Sequence, residues 1–338
     1  MDRKIELQQI LEKRQYFKVV CGAGNEDATE VYKIVLIYTL AGATAFDVSA
    51  NYQVVKAASQ AIDKAIEIAP KLNLDIKIRP FIMVSVGLKG DPHVRKAQID
   101  RAKCIDCGMC QKVCIQEAIK VDQENKTSVI SMRCIGCGDC QNACKSSAID
   151  FYHQKKDFET LLPKCLESGA ENIELHAVSL DDEAVINDWK LINKLLANNY
   201  ISMCVDRKLL SNEHIINRLT QASEIARDRF IVQADGVPMS GGSDDFNTTL
   251  QTIAIADIIQ KSKLPVKILA SGGTNSHTGK LAKLCGVKIN GVAIGTFARK
   301  IIKDYTSVDG FEDNFDKLKE AIDIAKKLII NNLEYMHD

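Results

Sequence analysis

Eight of the chain's twelve cysteines fall between Cys104 and Cys144, in two runs of identical spacing. Cys104, Cys107, Cys110 and Cys114 follow the pattern C-x₂-C-x₂-C-x₃-C, and Cys134, Cys137, Cys140 and Cys144 repeat it thirty residues later. The stretches 104–119 and 134–149 also agree at an Ile, a Gly, a Gln and a closing Ala-Ile, which marks an internal duplication. Three thiolates at i, i+3 and i+6 on a tight loop can grip three irons of a cubane. Gly108 and Gly138 let backbone amides approach the sulfides. In two-cluster ferredoxins the fourth cysteine of each run ligates the other cluster. The spacing therefore predicts two [4Fe–4S] clusters, one held by Cys104, Cys107, Cys110 and Cys144, the other by Cys134, Cys137, Cys140 and Cys114. A pair of zinc sites is the alternative, but zinc is served by two CxxC pairs and has no use for a duplicated run of four. The proline that usually follows the fourth cysteine is absent, with Ile115 and Lys145 in its place.

The cluster module leaves most of a 338-residue chain to another domain. Acidic and basic residues balance at 44 each, which removes the electrostatic case for a nucleic-acid or anionic-membrane partner. Apolar stretches such as 34–46 are broken by polar residues and too short to span a bilayer. The N-terminus carries charges of both signs and no apolar core, so no secretion signal is read and a cytoplasmic location is expected. Metal ligation, rather than disulfide bonding, then accounts for the cysteines. Of the other four, Cys165, Cys204 and Cys285 are expected to be buried and inert. Cys21, which ends a strand beside Gly22-Ala23-Gly24, is the one of the four to test for reactivity.

Outside the module, β-branched runs at 16–21, 45–49, 81–86, 172–177, 201–205, 230–234, 266–270 and 291–294 alternate with helical patterns, for example 27–40, 54–69, 183–196 and 246–262. Strands alternating with helices imply a parallel sheet, and eight such units suit a closed (β/α)₈ barrel of the TIM type. The expected fold is thus α/β: barrel residues 1–91, an inserted α+β ferredoxin-like domain at 92–153, and the rest of the barrel at 154–338 with a C-terminal amphipathic helix over 311–335.

Barrel chemistry sits at the C-terminal ends of strands, and a phosphate often binds after the seventh and eighth. There the sequence places Ser271-Gly272-Gly273-Thr274 and Gly295-Thr296-Phe297-Ala298-Arg299. Glycines let backbone approach an anion and the guanidinium complements its charge. Ser271, Gly272, Gly273, Thr274, Gly295, Thr296 and Arg299 are therefore candidates for binding FMN or another phosphate-bearing ligand, although a Gly-Gly pair is also an ordinary tight turn. Other strand ends carry Cys21, Asp47, Lys89, Asp91, His176, Asp206 and Asp235, each of which taken singly reads as a cap or loop-ordering group. His93 and His153 flank the cluster module. No serine-hydrolase elbow, Walker loop or HExxH motif is present, and catalytic residues are left unassigned.

Five segments together resemble the light-dependent period A iron–sulfur family of cyanobacteria: Tyr16-Phe-Lys-Val-Val-Cys-Gly-Ala-Gly24, Lys89-Gly-Asp-Pro-His-Val-Arg-Lys96, Gln233-Ala-Asp-Gly-Val-Pro-Met-Ser-Gly-Gly242, Ser271-Gly-Gly-Thr-Asn-Ser-His-Thr278 and Asn290-Gly-Val-Ala-Ile-Gly-Thr-Phe-Ala-Arg-Lys300. The resemblance runs over nearly the whole chain and implies the eight cysteines as cluster ligands. It also implies a role in sensing cellular redox state and passing it to the circadian clock's input histidine kinase. Three readings follow. The first is redox sensing or electron relay with a protein partner. The second is a flavin-dependent oxidoreductase whose clusters feed electrons to FMN in the barrel. The third makes the barrel only a scaffold. Without iron, the segment 101–150 has too little apolar core to stay folded.

Overall fold

A computed structural model describes residues 2–87, 95–153, 157–196, 198–237, 242–308 and 310–336. In chain order it opens with α1 (Arg3–Glu12), β1 (Tyr16–Val20), α2 (Ala28–Ala41), β2 (Ala45–Ser49), α3 (Tyr52–Ile68) and β3 (Phe81–Gly87). The inserted module follows, as β4 (Arg95–Ile99), α4 (Met109–Val113), β5 (Ile119–Val121), β6 (Thr127–Val129), α5 (Asp139–Ala143) and β7 (Ile149–His153). The chain then returns through α6 (Phe158–Glu167), β8 (Asn172–His176), α7 (Asp182–Leu195), β9 (Ile201–Val205), α8 (Asn212–Ala226), β10 (Phe230–Asp235) and α9 (Phe246–Ser262). It ends with β11 (Lys267–Ser271), α10 (Thr278–Leu284), β12 (Gly291–Ile294), α11 (Thr296–Ile301), α12 (Lys303–Thr306) and α13 (Phe315–Leu333).

The barrel strands close in the order β1-β12-β11-β10-β9-β8-β3-β2, all pairs parallel. The expected eight-stranded barrel is therefore the fold. Side chains alternate along each strand. Phe17, Val19 and Cys21 join the large apolar layer between strands and helices. Tyr16, on the opposite face of β1, packs inside with Ala45, Phe81, Ile231 and Leu269. Leu7, Ile10 and Leu11 of α1 complete that inner cluster and plug the barrel's N-terminal end. Polar groups are thereby left to the upper half of the interior.

Short polar side chains start the long helices, because each accepts an otherwise orphaned amide bond of the first turn. Asp27 caps α2, Asn51 α3, Asp181 α7, Ser211 α8 and Asp245 α9. The caps sit in the loops after the strands, so the C-terminal rim is ordered by the same residues that begin each helix.

The module follows β3 and so emerges at that C-terminal rim. Its duplication is visible in the backbone. Two antiparallel pairs, β4–β7 and β5–β6, flank two short helices, α4 and α5. Positive φ recurs at matching places: Asp106 and Gly136, Gly108 and Gly138, Glu117 and Ser147. Among the described residues, no helix is long and apolar enough to cross a membrane.

Candidate cluster sites and the barrel mouth

The eight motif cysteines line two cavities. One, of ≈ 310 Å³, is walled by Cys104, Cys107, Cys110 and Cys144. The other, of ≈ 350 Å³, is walled by Cys114, Cys134, Cys137 and Cys140. Each cavity takes three cysteines from one run and the fourth from the other, which is the crossed arrangement of two-cluster ferredoxins. A cubane presents one iron to each thiolate, so its ligands surround a space instead of meeting at a point.

Backbone amides supply hydrogen bonds to the sulfurs. Ala118 N donates to Cys114 Sγ and Ala148 N to Cys144 Sγ, each at 3.3 Å, at equivalent positions of the repeat. Ala97 N donates to Cys134 Sγ at 3.3 Å. Such bonds favour the thiolate and delocalise its charge. Burial pushes the thiols of Cys137 and Cys140 up to about 11 and about 12. Only ligation would keep these buried sulfurs ionised at neutral pH.

The two cavities differ in shelter. Cys107 is exposed and Ile105 beside it is 68% exposed, so the first faces solvent. Cys134 and Cys140 are buried, and the second faces the barrel. Lys96 Nζ donates to the carbonyls of Gly24 and Cys134, joining the β1–α2 loop to the second cysteine run. Glu26 N donates to Met132 O at 2.7 Å, and Arg133 Nε to Asp27 Oδ2 at 2.8 Å. Asp27 thus caps α2 with one oxygen and docks the module with the other. A further link joins Lys303 Nζ to Ile115 O at 2.9 Å and Glu117 at 3.0 Å. Ile115 occupies the place of the usual proline, and here its carbonyl accepts a bond from the barrel.

Below this seam lies a cavity of ≈ 680 Å³ at the barrel mouth. All seven candidate anion-binding residues, Ser271, Gly272, Gly273, Thr274, Gly295, Thr296 and Arg299, line it, together with Asp47, Glu174, His176, Cys204 and Asp235. Ile135, which follows Cys134 in the module, forms part of its wall. Gly272 and Gly273 turn with φ of +67° and +75°, and a Cβ on Gly272 would fall 1.5 Å from Asp235 Oδ1. Only glycine brings the two loops this close. Thr274 Oγ1 is committed to Ala293 O at 2.6 Å. Arg299 is 8% exposed, its Nη1 donates to Val20 O at 2.7 Å, and its Nε has no partner.

Beneath the cavity, Lys18 reaches across the interior to Glu174 at 2.7 Å and Asp47 at 3.3 Å. Ser85 Oγ donates to Asp47 Oδ1 at 2.5 Å, and His176 Nε2 lies 3.3 Å from Glu174 Oε1. Burial opposes the charge on Glu174, but Lys18 and His176 together outweigh it and hold the carboxyl at about 2. Burial, with Glu174 adding to it, raises Asp47. Lys18 stays charged, above the usual ammonium range, because its two carboxylates overcome desolvation. An ammonium so held is not a nucleophile.

Several sequence expectations are corrected. Cys21 is fully buried and faces the helix layer, and burial drives its thiol far above the usual range, so it is not a reactive cysteine. Cys285 is exposed, not buried, because it follows α10 at the surface. Cys204 is buried as expected, yet it lines the mouth and donates to Asp235 Oδ2 at 3.2 Å. Asp206 accepts from Lys208 N at 2.9 Å and orders its own loop. His153 is exposed at the end of β7. Lys89, Asp91 and His93, and the expected domain boundary at 91/92, lie outside the described residues. Lys18 and Glu174 were not singled out from the sequence. Their signal was a charge inside an apolar strand, at Lys18 in Tyr16–Val20 and at Glu174 two residues before His176.

Comparison with known proteins follows the same division. Residues 96–169 match the 4Fe-4S dicluster domain. Residues 152–331 match the Light dependent period A C-terminal domain. The chain belongs to the light dependent period A family. It is 29% identical over 298 residues to Light dependent period A of Synechococcus elongatus, covering 87% of this chain and 80% of that one. Among solved structures, deoxyribose phosphate aldolase from Aeropyrum pernix is similar with a TM-score of 0.42 and 15% identity, over 91% of this chain and 99% of that one. Tryptophan synthase from Mycobacterium tuberculosis gives a TM-score of 0.47 and 10% identity, over 96% and 97%. The family match and the dicluster domain make this an iron–sulfur protein.

Proposed function

We propose that the chain is a two-cluster redox sensor or electron relay whose oxidation state is read by a protein partner. The carrying observation is the pair of cavities, each walled by four crossed cysteines, with Ile135 shared between the second and the barrel mouth. When bound, [4Fe–4S] clusters supply one-electron storage. Cys104, Cys107, Cys110 and Cys144 would hold the solvent-facing one, and Cys114, Cys134, Cys137 and Cys140 the one beside the barrel. The amides of Ala97, Ala118 and Ala148 donate to the sulfurs of Cys134, Cys114 and Cys144. Lys96, Arg133 and Lys303 keep the module seated on the barrel, so a charge change in the module is felt across a fixed seam. The Synechococcus relative bears the name of a light-dependent period, and the clock-input role is carried to this chain as part of the proposal. Iron and sulfide assays on anaerobically purified protein test it: eight of each per chain are expected, and four or fewer, or zinc in their place, would end the reading.

A second reading, electron transfer between the module and FMN, is favoured by one feature. Ile135 of the cluster loop and the Ser271–Thr274 turn wall the same cavity. Flavin extracted from the same sample at one per chain would establish it. Colourless supernatant after denaturation, with no uptake of added FMN, would remove it.

A further inference from the structure

We infer that the barrel mouth binds a phosphomonoester through Arg299, and that its affinity is coupled to the oxidation state of the cluster site beside it. The inference rests on the two-cluster reading and adds a ligand and a direction of coupling to it.

Arg299 is more than nine-tenths buried, lines the cavity, and keeps Nε without a hydrogen-bond partner. Among the described residues its guanidinium makes no ion pair; Nη1 holds only the Val20 carbonyl. Glu30 acts on it only at longer range, and a buried cation with no close ion pair is costly unless a ligand supplies one. Gly272, Gly273 and Gly295 bring backbone to the same wall. Glu174 and Asp235 also line the cavity, with Asp235 pressed against Gly272, and their carboxylates can accept from ligand hydroxyl groups. A hydroxylated phosphomonoester, with its anionic end at Arg299 and its hydroxyls toward these carboxylates, uses both kinds of lining group.

The coupling comes from position. A Cβ built on Gly22 would lie 3.4 Å from Ile135 Cγ2 and 3.5 Å from Arg299 Nη1, so both side chains flank one glycine. Ile135 sits between Cys134 and Cys137, two ligands of the barrel-side site, and Arg299 is within electrostatic reach of Cys137. One-electron reduction by a low-potential donor adds one negative charge to that site and breaks no bond in the protein. The added charge competes with a bound anion for the same guanidinium. Reduction therefore weakens phosphate binding, and by reciprocity bound phosphate lowers the potential of the barrel-side cluster. At a separation on the order of 10 Å the expected effect is roughly tenfold in affinity, which corresponds to about 59 mV for a one-electron couple.

The test uses the whole iron-loaded chain. Inorganic phosphate, ribose 5-phosphate and FMN are titrated separately into oxidised and dithionite-reduced protein, with chloride at equal ionic strength as control. Redox titrations followed by EPR are run with and without phosphate. The inference expects roughly tenfold weaker phosphate binding after reduction, and a negative shift confined to one of two clusters. Tighter binding of ribose 5-phosphate than of FMN identifies a sugar phosphate as the source; the reverse identifies flavin. Arg299→Gln should abolish both binding and shift, and Arg299→Lys should restore part of each. Should Arg299→Gln misfold, the oxidised–reduced comparison on unaltered protein still decides. No phosphate binding, or equal affinity in both states, overturns the inference. Two EPR-visible clusters in that same sample would leave the two-cluster reading standing, whereas their absence would remove both.

Discussion

Lys96 Nζ donates to Cys134 O at 3.0 Å while also bonding Gly24 O, so one buried ammonium fastens the second cysteine run to the first barrel loop. Lys96 is 2% exposed and also lies 3.6 Å from Glu26. Lys96→Met leaves two buried carbonyls without their donor, at a cost of about 1–3 kcal/mol. The variant is expected to keep the solvent-facing cluster and to lose the barrel-side cluster faster on exposure to air. Loss of the two clusters at equal rates would show that the seam gives no protection.

Inside the barrel, Lys18 neutralises Glu174 and Asp47 where none of the three is more than 2% exposed. Lys18→Met strands buried carboxylates and should cost about 3–5 kcal/mol in denaturant unfolding. Lys18→Met with Glu174→Gln should recover a large part of that loss, because the uncompensated charge goes with it. Additive losses in the double variant would mean the pair does not interact as described.

Acid should loosen the barrel near α7. Asp182 is partly desolvated, but its bonds to Arg218 at 2.6 Å and His214 at 2.7 Å hold its carboxyl below the usual range. A depressed folded pKa gives stability that is complete above the unfolded value of about 3.9 and is lost as pH falls through the lower folded value. Trp189, the single tryptophan and fully buried on α7, reports it by fluorescence. Between pH 5 and pH 3 the unaltered chain should lose more stability than Asp182→Asn, which already lacks the pair at neutral pH. Equal acid sensitivity would contradict the assignment.

Crossed ligation makes an asymmetric prediction for the fourth cysteines. Cys114→Ser should perturb the signal of the site that holds Cys134, Cys137 and Cys140, and Cys144→Ser that of the site holding Cys104, Cys107 and Cys110. Since the latter faces solvent through Cys107, Cys144→Ser should also hasten iron loss to a chelator. The opposite pairing of variant and signal would show that each run closes on its own cluster.

Much of this architecture is legible in the residues themselves. Strands 45–49, 201–205 and 291–294 and the helix 246–262 were bounded as the structure has them, because caps and glycine turns punctuate them. Period alone did not say which face of a doubly covered strand looks inward. Cys21 therefore has the sequence position of a site residue although its side chain faces the helices, and Lys18 has none although it crosses the interior. The seven loop residues after β11 and β12 were legible as a group, since barrel geometry gathers those loops at one rim. Ile135 was not, since nothing local in a cysteine run says which barrel loop it will cover.

The most direct test of the central claim is a low-temperature EPR spectrum of the fully reduced chain, with iron counted on the same sample. The account predicts eight irons and two [4Fe–4S] signals, split by their mutual coupling. A silent spectrum with bound zinc, or a single cluster with four irons, would contradict it.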